Sequence, residues 1–439
     1  MQKNDNALKP RDLYLTRLAA FQDTDPIKIV TGIRRCGKSS LLALMRRRLL
    51  AGGVAAERII DMNFESMAYR DMDSRGLYQH VRERIAPGRR AYLFLDEPQR
   101  VEQWEDAVNS FRVDFDCDIY ITGYNACLLS SEYATYLAGR SVEIHMLPLS
   151  FREFLDFHGY TPREYAAPGG EPRKRAIAPD GAPVELMDLF EAYLRYGGMP
   201  GIADVGLDQD KVQALLEGIY AGVVVRDILE RGRRRGQRHL TDAELLRKIV
   251  LFLADNIGNT TSLNGMGNTL VNERMLEHRS KQGRPAVQTL AAYVNALKEA
   301  YMFYEIKRFD VKGKAWLRTL GKYSIVDPGL RNSLLGYRDL DSGRLLENIV
   351  HLELLRRGYD VGVGKVGDRE VDFIAVKDRE KIYYQVTEEM YAPATREREL
   401  APLLMIRDNY EKTVIALHAD FSASIEGIRV IRLLDFLLA

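Results

Sequence analysis

The chain has 439 residues, enough for two or three domains. Hydrophobic residues make up 46% and charged residues 28%, and the net charge is +1, so bulk charge argues for neither a nucleic-acid nor a membrane partner. Cys36, Cys117 and Cys127 show no zinc-like pairing and no disulfide framework. The N-terminus lacks the apolar core of a signal peptide, and no run reaches the ~18 apolar residues of a membrane span. The expectation is a cytoplasmic protein without a membrane partner.

A leading helix is expected over residues 11–20. Ile27 to Val30 is a short apolar run that reads as a buried parallel strand. Gly32-Ile33-Arg34-Arg35-Cys36-Gly37-Lys38-Ser39 fits G-x-x-x-x-G-K-[ST], and Ser40, Leu41, Leu42 and Leu44 begin an apolar-periodic helix reaching about Leu50. Strand, glycine turn and helix form the context of a phosphate-binding loop. Gly32 and Gly37 let the backbone bend so that the amides of Ile33, Arg34, Arg35, Cys36 and Ser40 face an anion, and the helix N-terminus adds partial positive charge. Lys38 brings a full charge for the β and γ phosphates, and the Ser39 hydroxyl can ligate magnesium.

Residues 58–64 read as a second strand and 75–86 as a helix. Ala91 to Leu95 is a continuous apolar strand closed by Asp96-Glu97. A carboxylate at Asp96 can hold Mg2+ through water, and Glu97 can polarise an attacking water. The plainer reading of the pair is a helix N-terminal acid couple. A helix to Val113 and a strand over 118–122 follow. Strands alternating with helices argue for a parallel α/β sheet, whose ligands sit at the carboxyl ends of strands. Thr122 and Asn125 are candidates to contact the γ-phosphate or the lytic water, with ordinary turn chemistry as the alternative. Arg140 can reach a neighbouring subunit's γ-phosphate or be a solvated surface residue.

Residues 161–185, rich in Pro, Gly and charge, read as a loop or insertion. Residues 186–255 read mostly as helices. The basic run Arg226 to Arg238 suits phosphates of nucleotide or nucleic acid, or a solvated helix end. Residues 262–326 have a winged-helix rhythm. Gln288, Asn295 and Lys298 are a thin basic set for a DNA groove, which favours a protein-packing role. From Glu347 a further α/β segment begins.

The phosphate loop, LDEPQRVEQWEDAVNSF, ITGYNACLLSSEYATYLAGRSVEIHMLPLSFREFL and KYSIVDPGLRNSLLG together resemble the bacterial and archaeal AAA+-type P-loop ATPases that carry the C-terminal domain of unknown function 4143 (DUF4143). The resemblance spans nearly the whole chain. It implies an ATPase domain over 1–155, a loop insertion and helical region over 156–260, a winged-helix-like region over 261–335, and a restriction-endonuclease-like α/β domain over 336–439. Gly32, Gly37, Lys38 and Ser39 match its Walker A motif, Asp96 and Glu97 its Walker B, and Arg140 its A-G-R. Where the family has T-G-S, this chain has Thr122-Gly123-Tyr124, with Asn125 as the compensating polar residue.

The nuclease motif of that last fold falls on Glu347, Asp372 and Gln385-Val386-Thr387. Gln385 brings no charge and Thr387 no ammonium, so a degenerate PD-(D/E)xK-like domain is expected. The implied function is Mg-dependent ATP binding and hydrolysis, catalysed by Glu97, Lys38, Arg140 and Asn125 and coupled to an unidentified nucleic-acid or protein partner, with a homo-oligomer a possibility. The alternatives are a nucleotide-dependent switch, a DNA-binding module, or an ATP-regulated nuclease.

Overall fold

The computed structural model describes residues 8–123, 139–166, 172–230, 242–272, 287–311, 315–316, 321–338, 341–419 and 423–439. The chain divides into two compact units. One holds residues 1–146 and 299–301, the other 147–298 and 302–439.

The first unit begins with helix α1 (Asp12–Ala19) and alternates strands with helices: β1 (Ile27–Thr31), α2 (Lys38–Ala51), β2 (Ile59–Asn63), α3 (Ser74–Arg82), β3 (Ala91–Asp96), α4 (Trp104–Asp114), β4 (Cys117–Thr122) and β5 (Ser141–His145). The strands form one parallel sheet in the order β2-β3-β4-β1-β5. Helices cover both faces of such a sheet, which is why β1 and β3 are buried along their whole length and read as unbroken apolar runs. Helix α4 places Trp104, Ala107, Val108 and Phe111 on one face by their i, i+3, i+4, i+7 spacing, and that stripe joins Leu93, Leu95 and Ile121 of the sheet in one core.

Lys28 is the exception within β1. It is fully buried and reaches Asp118 of β4, while its ammonium also donates to the Thr24 carbonyl at 2.8 Å. Burial lowers the Lys28 pKa, and the Asp118 contact opposes that shift. The pair lies at the N-terminal end of the sheet, the end opposite Gly32, so it serves the fold rather than a ligand.

The second unit opens with α5 (Phe151–Phe157), whose start is fixed by a reciprocal cap: the Glu153 amide donates to Ser150 Oγ and the Ser150 amide to Glu153 Oε2. Next come β6 (Thr161–Ala166), β7 (Pro172–Ile177) and β8 (Pro183–Val184), a three-stranded antiparallel sheet. This corrects the expectation of a loop over 161–185. Residues 167–171 lie outside the described residues, but the flanking segments pair over six positions, with Arg175 over the Tyr165 ring. Composition concealed them, because their turn-formers sit at strand ends and their charges face outward.

Helices α6 (Leu186–Tyr196), α7 (Ile202–Val205) and α8 (Gln209–Ala221) follow, then a π-helical stretch over 222–230, α9 (Ala243–Asp255), α10 (Leu263–Asn272) and α11 (Val287–Glu299). The arginines of the run Arg226 to Arg238 lie outside the described side chains, and residues 273–286 of the stretch with a winged-helix rhythm lie outside the described residues. Beyond α11 come β9 (Phe303–Ile306), β10 (Arg308–Asp310), β11 (Ala315–Trp316) and β12 (Lys322–Ile325), of which β9 and β12 form an antiparallel pair. Gln288 and Asn295 are exposed on α11, whereas Lys298 is bonded to Glu305 of β9.

The stretch KYSIVDPGLRN proves to be a packing hub. Asp327 caps α12 (Pro328–Leu335) by accepting from the Leu330 amide at 3.0 Å, and it also accepts from the Gly198 amide at 2.6 Å. A Cβ on Gly329 would lie 1.9 Å from the Tyr196 carbonyl oxygen, so only glycine allows that approach. Arg331 donates to the Ala254 carbonyl at 2.8 Å, and Asn332 to that of Leu194 at 2.9 Å. Burial pushes the Asp327 pKa up to about 6. The folded state therefore keeps this proton where the unfolded chain has lost it, and the resulting advantage fades as pH rises through about 6. An Asp327→Asn protein should lack this dependence. In urea unfolding, wild-type stability relative to the variant should fall by roughly 2 kcal/mol between pH 4.5 and 7; a pH-independent difference would contradict the assignment.

Helix α13 (Ser342–Arg356) leads into β13 (Asp360–Val366), β14 (Arg369–Lys377), β15 (Glu380–Glu389), α14 (Pro393–Leu404), β16 (Glu411–His418), β17 (Ala423–Ile425), β18 (Ile428–Arg432) and α15 (Leu433–Leu437). The strands make an eight-stranded mixed sheet, β11-β10-β13-β14-β15-β16-β18-β17, in which β13, β14 and β15 are antiparallel while β16 and β18 run parallel to β15. Val371, Ile374, Leu400, Leu403 and Val414 form its main core.

Candidate functional site

Strand β1 delivers the chain to Gly32 at its C-terminal end, and α2 departs at Lys38. Between them Gly32 and Gly37 take φ of 138° and 104°, and Arg35 is left-handed at 67°. A Cβ on Gly32 would meet the Met146 carbonyl oxygen at 2.1 Å, so the bend requires glycine. Arg11 donates to the Cys36 carbonyl at 3.1 Å and braces the loop from outside. Lys38 Nζ donates to the carbonyls of Gly32 at 3.0 Å and Ile33 at 3.1 Å, which holds its charge inside the loop. The N-cap of α2 is Gly37, which has no side chain to cap the helix, so the first amides of α2 take no side-chain cap and suit an anion.

Asp96 ends β3 beside this loop. Its Oδ1 accepts from Ser39 Oγ at 3.1 Å and from the Thr122 hydroxyl, and its Oδ2 accepts from Asn63 Nδ2 at 2.9 Å. The ends of β2, β3 and β4 thus fix one carboxylate against α2. The Ser39 hydroxyl and the Asp96 carboxylate are hard oxygens, and the pair fits a magnesium ion that arrives with phosphate oxygens. Among the described residues no group of three or more His, Cys, Asp or Glu side chains is arranged to hold a metal by itself.

Glu97 follows in the left-handed region, φ 61° and ψ 45°, where a non-glycine residue is strained. Its amide donates to Thr122 Oγ1 at 3.1 Å, so one hydroxyl orients both acids. Burial pushes the Glu97 pKa up to about 7, with Lys38 pulling down and Asp96 pushing up. That is the range a general base working near neutrality needs. His145, 3.2 Å from Thr31 Oγ1, is held neutral: burial and then the Lys38 charge push it down to about 4.

Gly32, Lys38, Ser39, Asp96, Glu97 and Thr122 therefore converge, whereas Arg140 does not. Arg140 is exposed at the start of β5, and its carbonyl accepts from the Ile27 amide at 2.9 Å, at the N-terminal end of β1. A five-residue strand, ~16 Å, separates it from the loop of its own chain. Asn125 lies outside the described residues. Sequence reasoning missed three polar residues: Asn63, Gln99, which donates to Glu97, and Glu65, which pairs with Arg34 at 3.3 Å and Arg100 at 3.0 Å. Asn63 was discoverable, because it closes a strand at the ligand-binding edge of the sheet.

The second unit gathers the other candidate acids around a lysine. Lys322 lies 3.6 Å from Glu347 on α13 and is also paired with Glu370 on β14. Burial opposes the Lys322 charge, but Glu347, Asp372 and Glu370 outweigh it and raise its pKa. Asp372 accepts from the Val386 amide at 2.8 Å, and its pKa is raised by burial and then by Glu347. Gln385 donates to Glu399 at 3.0 Å, while Thr387 donates to the Glu389 carbonyl at 3.2 Å. The Lys322 ammonium thus supplies the cation among these carboxylates. Lys322→Met should leave them buried and unpaired and destabilise the second unit by about 3 kcal/mol, read as a lowered unfolding midpoint in urea; an unchanged midpoint would show that the pairing is inconsequential.

Residues 24–155 match the family model described as an AAA domain, and residues 187–341 match a domain of unknown function (DUF8612). An uncharacterized protein of Haemophilus influenzae is 38% identical over 434 residues, covering 98% of this chain and 99% of its own. The chain belongs to that family. A second member of this similarity group, an uncharacterized protein of Methanocaldococcus jannaschii, is 28% identical over 401 residues, covering 90% of this chain and 80% of its own. A Walker-type ATPase of Pyrococcus abyssi overlays with a TM-score of 0.47 at 15% identity, covering 76% of this chain and 97% of that one, too loosely to bear on function.

The AAA domain makes the first unit a P-loop ATPase fold. The DUF8612 match corrects the expected DUF4143. The stretch that carried that expectation, Lys322 to Gly336, lies inside the DUF8612 match, which ends before α13. Among the described residues no helix is long and apolar enough to cross a membrane.

Proposed function

We propose that this chain binds ATP together with magnesium and hydrolyses it, coupling turnover to a partner of the second unit. The observation that carries the reading is the meeting of Ser39, Asp96 and Glu97 beside the Lys38 loop, at the carboxyl ends of three adjacent parallel strands. The loop amides and Lys38 hold the phosphates. Ser39 and Asp96 hold the metal, which when bound neutralises charge on the β and γ phosphates. Thr122 and Asn63 keep Asp96 in place, and Glu97 takes a proton from the attacking water. Arg140, outside its own site, is assigned to a neighbouring subunit's γ-phosphate in a cytoplasmic homo-oligomer.

The 261–335 region is assigned as a winged-helix-like packing module, supported by α10, α11 and the β9–β12 pair. The C-terminal sheet is assigned as a restriction-endonuclease-like scaffold without nuclease chemistry, supported by Lys322 sitting where a cation would be needed. The test of the ATPase reading is phosphate release from Mg-ATP by the purified chain across a range of protein concentrations. Turnover per chain should rise with concentration; no release at any concentration would overturn it.

A further inference from the structure

Gln99 is a polar side chain that the ATPase reading leaves unused. It lies in the single helical turn Pro98–Arg100 that follows Glu97, and its Nε2 donates to Glu97 Oε2. With Glu97 ionised, as a base must be, the sense of that amide is fixed: turned over, its oxygen would face a carboxylate oxygen, two acceptors without a proton between them. Gln99 Oε1 is then buried and has no hydrogen-bond partner among the described residues. A buried acceptor lacking a donor is destabilising, so such positions are kept where something else supplies the donor.

The surroundings narrow what that donor is. Pro98 is buried and restricts the backbone between the two side chains, and the Glu97 amide is tied to Thr122 at 3.1 Å. Gln99 Oε1 and the Glu97 carboxylate therefore form a fixed pair of acceptors just beyond the carboxyl end of β3. A water molecule has two O–H bonds to give to two acceptors. With both engaged, its lone pair is held in one direction; with Glu97 alone it rotates freely.

We propose that Gln99 is a second catalytic residue for hydrolysis, accepting one O–H of the nucleophilic water while Glu97 accepts the other. This inference rests on the ATPase reading above. In the step itself, the water oxygen bonds to the γ-phosphorus and its proton passes to the Glu97 carboxylate. The bond from the γ-phosphorus to the β–γ bridging oxygen breaks, and its electron pair leaves on ADP. Gln99 moves no proton; it orients the attacking lone pair.

The test compares Gln99→Ala and Gln99→Met with wild type in steady-state phosphate release, fluorescent-ATP binding and thermal unfolding. Methionine keeps the length and packing of glutamine but not the acceptor. Both variants should bind ATP and stay folded, with kcat reduced roughly tenfold to a hundredfold and KM unchanged. Wild-type kcat in Gln99→Met would overturn the assignment and leave the ATPase reading standing, as would a loss confined to KM. A wild-type chain that binds ATP but releases no phosphate would overturn both.

Discussion

Lys38→Ala should lose roughly a hundredfold in affinity for ATP, the worth of the one or two charge-assisted bonds its ammonium gives to phosphate oxygens. The structure makes the loss specific. Lys38 lies buried at the first position of α2, and its Nζ donates to the carbonyls of Gly32 and Ile33, so its removal takes away a ligand-directed charge together with two local hydrogen bonds. The bend of the loop is set elsewhere, by Gly32 against Met146 and by Arg11 on Cys36. Thermal unfolding of the variant without nucleotide checks that it stays folded, while titration with a fluorescent ATP analogue reads the lost affinity. An affinity within twofold of wild type would contradict the role of Lys38.

Glu97→Gln should give the opposite pattern. Glutamine keeps the shape and the strained backbone but cannot take a proton, so ATP should still bind while phosphate release falls by about 10²–10⁴. Thr122 would still hold the backbone at this position through the amide of residue 97. The double comparison is informative because the two substitutions fail at different steps. Turnover within threefold of wild type in Glu97→Gln would remove Glu97 from the chemistry.

The ATPase half was legible because a parallel sheet covered on both faces writes its strands as unbroken apolar runs, and because ligand chemistry collects at their carboxyl ends. Asp96 and Glu97 could be read from that position taken together with the phosphate loop. Gln99 could not, since its importance lies in the direction of one amide oxygen, which no spacing encodes. The strands β6 and β7 were hidden by a composition that counts Pro, Gly and charge without regard to cross-strand pairing. Lys322 was invisible for a different reason. It is distant in sequence from Glu347 and Glu370, and only the pairing of β9 with β12 beside α13 brings its ammonium to them. Gln385 and Thr387 bring no charge of their own, and the cation paired with Glu347 and Glu370 comes from another segment of the chain.

One pocket, built from the Lys38 loop and the Asp96–Glu97 strand end, is proposed to receive a nucleoside triphosphate with its metal. Equilibrium titration of the purified full chain with fluorescent ATP in magnesium buffer tests it most directly. Binding should be saturable at one site per chain, displaced by unlabelled ATP and weakened when magnesium is chelated. A flat titration with folded protein would contradict it.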